Sequence, residues 1–254
     1  TLWVLLINIL GFRLWLQAGR KQVYALSAAL LIPTLISIGI LWQEQASIEE
    51  VVIEETLLVQ PNVDPYEKFN RGAEVQTFQE MLDLLEPQIG PKTSYVVLPE
   101  TAIVEYVDED YMDGYRSIRL LNAFMKRYPH IHFITGISTY NFYEEGEALS
   151  PTARLSPDGE RYESYNTSME VDSSGVVELY HKSKLVPGVE KMPYPKIFSF
   201  LERWSVDMGG VTGSLGANEE PETFEAGSKT DLAPLICYES AFPGYVNKFV
   251  ELGA

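Results

Sequence analysis

Val23 to Trp42 (VYALSAALLIPTLISIGILW) runs for 20 residues without a charged side chain. About 20 apolar residues in a helix cover the roughly 30 Å hydrocarbon core of a bilayer. A chain with such a stretch has to bury it in lipid or enclose it in protein, and a transmembrane helix is the expectation. Pro33 inside the stretch and Trp42 at its end suit that reading, because membrane helices tolerate proline and interfaces favour tryptophan. The competing readings are a buried core helix and a secretory signal. A signal has a shorter apolar region and a small-residue cleavage site after it, and no such site follows here.

Residues 1–17 (TLWVLLINILGFRLWLQ) have the character of the end of an earlier span, and residues 18–22 (AGRKQ) join the two as a short basic loop. Short loops carrying Lys and Arg stay in the cytoplasm. The chain beyond Trp42 is therefore expected on the extracytoplasmic side.

That remainder has a different composition. Arg13, Arg20 and Lys21 precede the first acid, Glu44, so all 36 acids and only 16 of the 19 Lys and Arg lie in residues 43–254. A phosphate backbone would be repelled by such a surface, which argues against a nucleic-acid partner. Residues 43–55 read as an acidic connector, and residues 56–254 as one globular domain with enough apolar content to bury a core.

Cys237 is the one cysteine, and the histidines are His130, His132 and His181. An intrachain disulfide is impossible and Cys/His zinc sites are out. No D-x-D-x-D-G loop or H-E-x-x-H helix is present, so neither a metal nor another cofactor is expected. A lone thiol in an oxidising compartment is exposed to oxidation. It is either a reactive group or a buried packing residue, and count alone leaves both open.

Along the domain, Thr56–Gln60 reads as a buried strand, Ala73–Leu85 as a helix with Val75, Phe78, Met81, Leu82 and Leu85 on one side, and Ser94–Leu98 as a strand closed by Pro99-Glu100. Tyr115–Tyr128 is again helical and His132–Ile137 again a strand. Residues 165–171 and 176–186 flank Asp172-Ser173-Ser174-Gly175, a hairpin signal. Residues 211–227 read as loop and Leu232–Cys237 as a last apolar strand. The alternation predicts an α/β domain with helices over a largely buried sheet, whose functional groups gather at strand ends. Glu100 and Cys237 both fall at such ends.

Strand alternation puts Lys182 and Lys184 on one face and His181 on the other, so a Cys–His pair through His181 would exclude Lys182. Cys237, where a strand gives way to a turn, is placed like a nucleophile whose following N–H faces the reacting carbonyl. Without a well-placed histidine, a carboxylate is the substitute base.

Leu98-Pro99-Glu100-Thr101-Ala102-Ile103, Tyr180-His181-Lys182 with Leu185-Val186-Pro187, and Ile236-Cys237-Tyr238-Glu239 together resemble the Glu-Lys-Cys triad of the nitrilase (carbon-nitrogen hydrolase) superfamily. Within it, the Leu-Val-Pro and Cys-Tyr-Glu variants behind membrane spans resemble the apolipoprotein N-acyltransferases. The resemblance implies a nitrilase-like α-β-β-α sandwich, incomplete at the C-terminus, preceded by transmembrane helices. It also implies a multi-pass protein of the bacterial inner membrane with a periplasmic catalytic domain.

By this resemblance Cys237 takes an acyl chain from a phospholipid as a thioester and passes it to the α-amine of a diacylglyceryl-cysteine at an apolipoprotein N-terminus, the final step of lipoprotein maturation. Glu100 is then the general base, and Lys182 with the Tyr238 N–H holds the oxyanion. Glu190 helps to position the triad, while Tyr238, Glu239 and Phe69 bear on substrate binding or positioning. The family often reads L-V-P-F-G-E where this chain has Gly188-Val189 before Glu190, and Phe69 stands where tryptophan is usual. The family also continues past the point corresponding to Ala254, so the chain reads as a fragment. Two other readings remain: a membrane-anchored amidase using the same triad on a carbon-nitrogen bond, and a tethered binding domain in which Cys237 only packs.

Overall fold

The computed structural model describes residues 2–46, 54–63, 74–191, 214–225 and 231–254. By contacts the chain divides into two units, residues 1–53 and 54–254.

The first unit is a helical hairpin, α1 (Leu2–Leu16) and α2 (Arg20–Ala46). The helix break covers residues 17–19, so Arg20, Lys21 and Gln22 lie in the first turn of α2 and not in the loop expected for them. Val23 N–H already bonds the Gly19 carbonyl at 3.1 Å, which starts the helix at Arg20. Within α2, residues 20–43 are long and apolar enough to cross a membrane, and Leu31, Ile32, Leu35 and Ile36 are exposed. Among the described residues this is the one such helix; α1 is apolar but shorter. Pro33 has no N–H, which strips the Ala29 carbonyl of its intrahelical donor. The Trp3 indole N–H fills the vacancy from α1 at 3.1 Å. In lipid no water is at hand to satisfy a freed carbonyl, so this bond also pins the two helices together.

In the second unit, β1 (Glu55–Leu58), α3 (Glu74–Leu85), β2 (Thr93–Val97), β3 (Ile103–Asp108), α4 (Arg116–Met125), β4 (His132–Phe142), β5 (Arg154–Leu155), β6 (Arg161–Asp172), β7 (Gly175–His181) and α5 (Pro243–Leu252) follow in order. The strands form one mixed sheet: β1, β2 and β4 run parallel, β3 extends alongside β4, and β6 lies antiparallel to β4 with β7 and β5 on it. Phe78, Met81, Leu82 and Leu85 of α3 and Ile118, Leu121, Phe124 and Met125 of α4 meet Val96, Phe133, Ile137, Met169 and Val171 of the sheet in one core. Helical spacing on α3 and α4 against continuous apolar strands is what produces that layer.

One expectation needs correction. Leu232–Cys237 is not a strand: a single bridge links Leu232 to Phe224, because Pro234 cannot donate to a ladder. β3 (Ile103–Asp108) has no clean apolar alternation, so its sequence does not signal a strand.

The β2–β3 turn that carries Glu100 lies against β4. A Cβ on Gly136 would stand 2.5 Å from Thr101 N and 2.6 Å from Glu100 Cα, both backbone atoms. Gly136→Ala is therefore expected to destabilise the domain by about 1–3 kcal/mol, the usual cost of overpacking, with a lower thermal unfolding midpoint. Gly244→Ala, where nothing lies within 4 Å, is the control. Equal midpoints for the two variants would contradict this placement of the turn.

Candidate active site

Three chain segments converge on one cluster. The first is the Pro99–Thr101 turn. Leu98 N–H still bonds the Ile134 carbonyl at 2.9 Å; proline then ends the ladder and Glu100 follows, with Thr101 at φ +51°.

The second segment is the end of β7 and the turn after it. Lys182 is 1% exposed, and its ammonium lies 3.0 Å from Glu100 Oε1 and 2.9 Å from Glu190 Oε1. Glu190 is delivered by the tight 186–191 turn, where Gly188 has φ +85°, a left-handed conformation that explains glycine at this position. The other Glu190 oxygen accepts the Val186 N–H at 2.8 Å.

The third segment is the Cys237–Ala241 turn. Cys237 has φ +43°, costly for a residue with a side chain, and its thiol is exposed. It lies close enough to Glu100 and Lys182 for both to act on its ionisation.

Asn166 on β6 was not anticipated. Its amide donates to Glu100 Oε1 at 2.6 Å and to Glu190 Oε1 at 2.8 Å, holding the two acids on either side of the lysine.

The other sequence candidates lie as follows. Glu239 is fully buried. Its Oε1 accepts Ser183 N–H at 2.7 Å and Lys184 N–H at 3.2 Å, and its Oε2 accepts Ile236 N–H at 2.9 Å. The Tyr238 ring meets Phe242 edge-on at 5.0 Å. Phe69 lies outside the described residues. His181 points away from the cluster, bonded to Glu109 at 2.8 Å and stacked on Tyr165 at 3.8 Å. Lys184 sits over the Tyr245 ring at 4.5 Å, not beside Lys182.

Burial pushes the Glu100 carboxyl up, but the Lys182 charge and hydrogen bonds from Asn166, Lys182 and Cys237 outweigh it and hold the group below the ordinary carboxylate range. Burial likewise pulls Lys182 down and is outweighed by its bond to Glu190 and by Glu100, so its ammonium is held above the ordinary value. The Cys237 thiol is pushed up, first by burial and then by the Glu100 charge, with Lys182 opposing. At neutral pH the cluster is a carboxylate, an ammonium and a neutral thiol. A base that is charged and within reach of a thiol that keeps its proton fits general-base activation of a nucleophile.

The chain belongs to the carbon-nitrogen hydrolase family, whose match covers residues 58–254. Within that class it is similar to curated proteins named apolipoprotein N-acyltransferase. That of Chlorobaculum tepidum is 29% identical over 100% of this chain and 48% of its own length. Those of Aquifex aeolicus (28%, covering 76% of this chain and 37% of the relative) and Allorhizobium ampelinum (32%, covering 73% and 32%) are also similar. The chain spans about half the length of these relatives or less.

Because burial and then the Glu100 charge raise the Cys237 thiol, alkylation by iodoacetamide is expected to rise with pH through a midpoint above the ordinary thiol value. Glu100→Gln removes both the nearby charge and the acceptor, so its midpoint is expected to move down towards the ordinary value. A midpoint unchanged or moved upwards in that variant would show that the carboxylate does not govern the thiol.

Proposed function

We propose that the chain carries the acyl-transfer site of an apolipoprotein N-acyltransferase. The observation that most supports this reading is the contact set joining Lys182 to Glu100 and Glu190, with the Cys237 thiol near enough for Glu100 and Lys182 to act on it, in a family member that also has a helix able to cross a membrane. A soluble amide gives an enzyme no reason to sit at a bilayer, whereas a phospholipid donor does.

In the first step Cys237 attacks the ester carbonyl of a phospholipid while its proton passes to Glu100. The oxyanion is held by the Lys182 ammonium and the Tyr238 backbone N–H. The ester C–O bond breaks, the departing lysophospholipid oxygen takes the proton from Glu100, and the acyl chain remains on sulfur as a thioester. In the second step the α-amine of a diacylglyceryl-cysteine attacks that carbonyl, the C–S bond breaks, and the amine proton returns through Glu100 to the sulfur. The products are an N-acylated apolipoprotein and the free enzyme.

The reading carries further placements. The domain belongs to a nitrilase-like α-β-β-α sandwich preceded by transmembrane helices: residues 1–17 end one span, the break at 17–19 with the basic first turn of α2 forms the cytoplasmic connection, residues 23–42 span the membrane, and 43–55 lead to the catalytic domain at 56–254. The protein is then multi-pass in the bacterial inner membrane with this domain on the periplasmic side. Glu190 and Glu239 position the triad, and Tyr238 and Phe69 bear on the substrates.

Full-length protein incubated with labelled phospholipid and trapped in acid is expected to carry label on Cys237, released by hydroxylamine. Cys237→Ser should abolish that label. Glu100→Gln should slow acylation by about 10²–10⁴-fold and Lys182→Ala by about 10²–10³-fold. Unlabelled protein that turns over a soluble amide would replace this reading with an amidase, and near-normal labelling in a variant would remove that residue from the mechanism.

A further inference from the structure

Two buried tyrosines stand behind the cluster without entering the chemistry above. Tyr180 on β7 is fully buried and Tyr245 on α5 is 5% exposed. The Tyr180 hydroxyl lies 2.7 Å from Glu239 Oε1 and 2.8 Å from the Tyr245 hydroxyl. Both Glu239 oxygens already receive backbone N–H groups, so Glu239 accepts and Tyr180 gives it its only proton. The Tyr180 oxygen is then the acceptor for Tyr245 and for the Ser183 hydroxyl at 3.3 Å, and the direction of the chain is fixed: Tyr245 to Tyr180 to Glu239. Burial first, and then the bonds to Tyr245 and Glu239, push the Tyr180 phenol up, so it keeps that proton.

Glu239 binds the N–H of Ser183, the residue after Lys182, and the N–H of Ile236, the residue before Cys237. It is the clamp between the segment holding the ammonium and the segment holding the thiol. Apolar packing alone does not set that distance. Phe224, Ile236 and Phe249 surround the tyrosines, and their ring contacts would survive loss of a hydroxyl, whereas a directional polar chain selects one arrangement.

We propose that Tyr180 and Tyr245 are positioning residues that fix the Lys182–Cys237 separation through Glu239 while touching no substrate. The inference rests on the reading of Cys237 as the nucleophile.

The test uses the full-length protein with Tyr180→Phe and Tyr245→Phe, which keep the rings. Three quantities are read: acylation by labelled phospholipid, the pH profile of Cys237 alkylation, and thermal unfolding. The groups facing the thiol are Glu100, Lys182 and Glu190. If the turn loosens from them, the alkylation midpoint falls towards the ordinary thiol value.

Tyr180→Phe is expected to lower kcat for acylation about tenfold or more with little change in KM, since misplacement costs rate and not binding, and to lower the midpoint. Tyr245→Phe should act in the same direction but less, because the Tyr180–Glu239 bond remains. Wild-type kcat and midpoint in both variants, even with a lowered unfolding temperature, would overturn the proposal. If wild-type protein forms no acyl-enzyme, the acyl-transfer reading fails separately, and the alkylation midpoints still decide the chain. If Tyr180→Phe does not fold, Tyr245→Phe decides it, an unaltered midpoint counting against.

Discussion

An ammonium group taken out of water must be compensated by charge and hydrogen bonds, because an isolated buried ion is far too costly to keep. Lys182, 1% exposed, is held by two carboxylates from different parts of the chain, Glu100 and Glu190. Two acids facing one ammonium also repel each other. The Asn166 amide, donating to both, supplies the further positive end that this arrangement needs. The rest of the site is organised around that requirement: removing either acid leaves a buried charge short of its partner, and removing the lysine leaves two acids facing each other.

The segments that meet there are held under local strain. Thr101, next to Glu100, and Cys237 both have positive φ without being glycine. Such conformations persist only where the surroundings determine them. For Thr101 the surroundings are β4, whose Gly136 lets the turn backbone approach closely. For Cys237 they are the Glu239 carboxylate, reaching back to Ile236 N–H and across to Ser183 and Lys184. A buried acid two residues past the exposed thiol thus ties the thiol's turn to the lysine's strand. Its burial makes positioning, not substrate contact, the role its surroundings favour.

Much of this was legible in the chain, and the parts that were not have identifiable causes. Apolar periodicity gave α3, α4, β2 and β4 because packing on one side repeats at the helical or strand period. Proline after Leu98 marked the end of a strand and hence the tip where Glu100 sits. Asn166 was hidden by a register shift. Counting back from the Asp172–Gly175 turn pairs Asn166 with His181, but the pairing changes from Val171↔Val176 to Glu170↔Glu178, leaving Val177 as an extra residue. That bulge brings Asn166 opposite Lys182, whose N–H bonds the Asn166 carbonyl at 2.8 Å. A one-residue slip changes which side chains share a face, and nothing in a valine-rich stretch announces it. The Tyr245–Tyr180–Glu239 chain was hidden for another reason: Tyr180 lies 59 residues from Glu239 and 65 from Tyr245, and the family resemblance points to Glu239 alone, as a substrate-binding or positioning residue.

The charge arrangement also accounts for a thiol held in its neutral form. Many reactive cysteines are activated by lowering the thiol's pKa, which leaves a standing thiolate that is also the form most readily oxidised. Here the Glu100 carboxylate is close enough to hydrogen-bond the thiol and to push its ionisation up, while Lys182 keeps Glu100 itself charged. On the proposed reading, the same acid that suppresses the resting thiolate is the one that would take the proton when an acyl carbonyl arrives, so ionisation would be coupled to attack. With His181 turned to Glu109 and Tyr165 on the other side, no imidazole competes for that proton. For an exposed cysteine on the proposed extracytoplasmic side, where no second cysteine of this chain could shelter it as a disulfide, a proposed nucleophile whose thiol is pushed towards its neutral form would combine reactivity with survival.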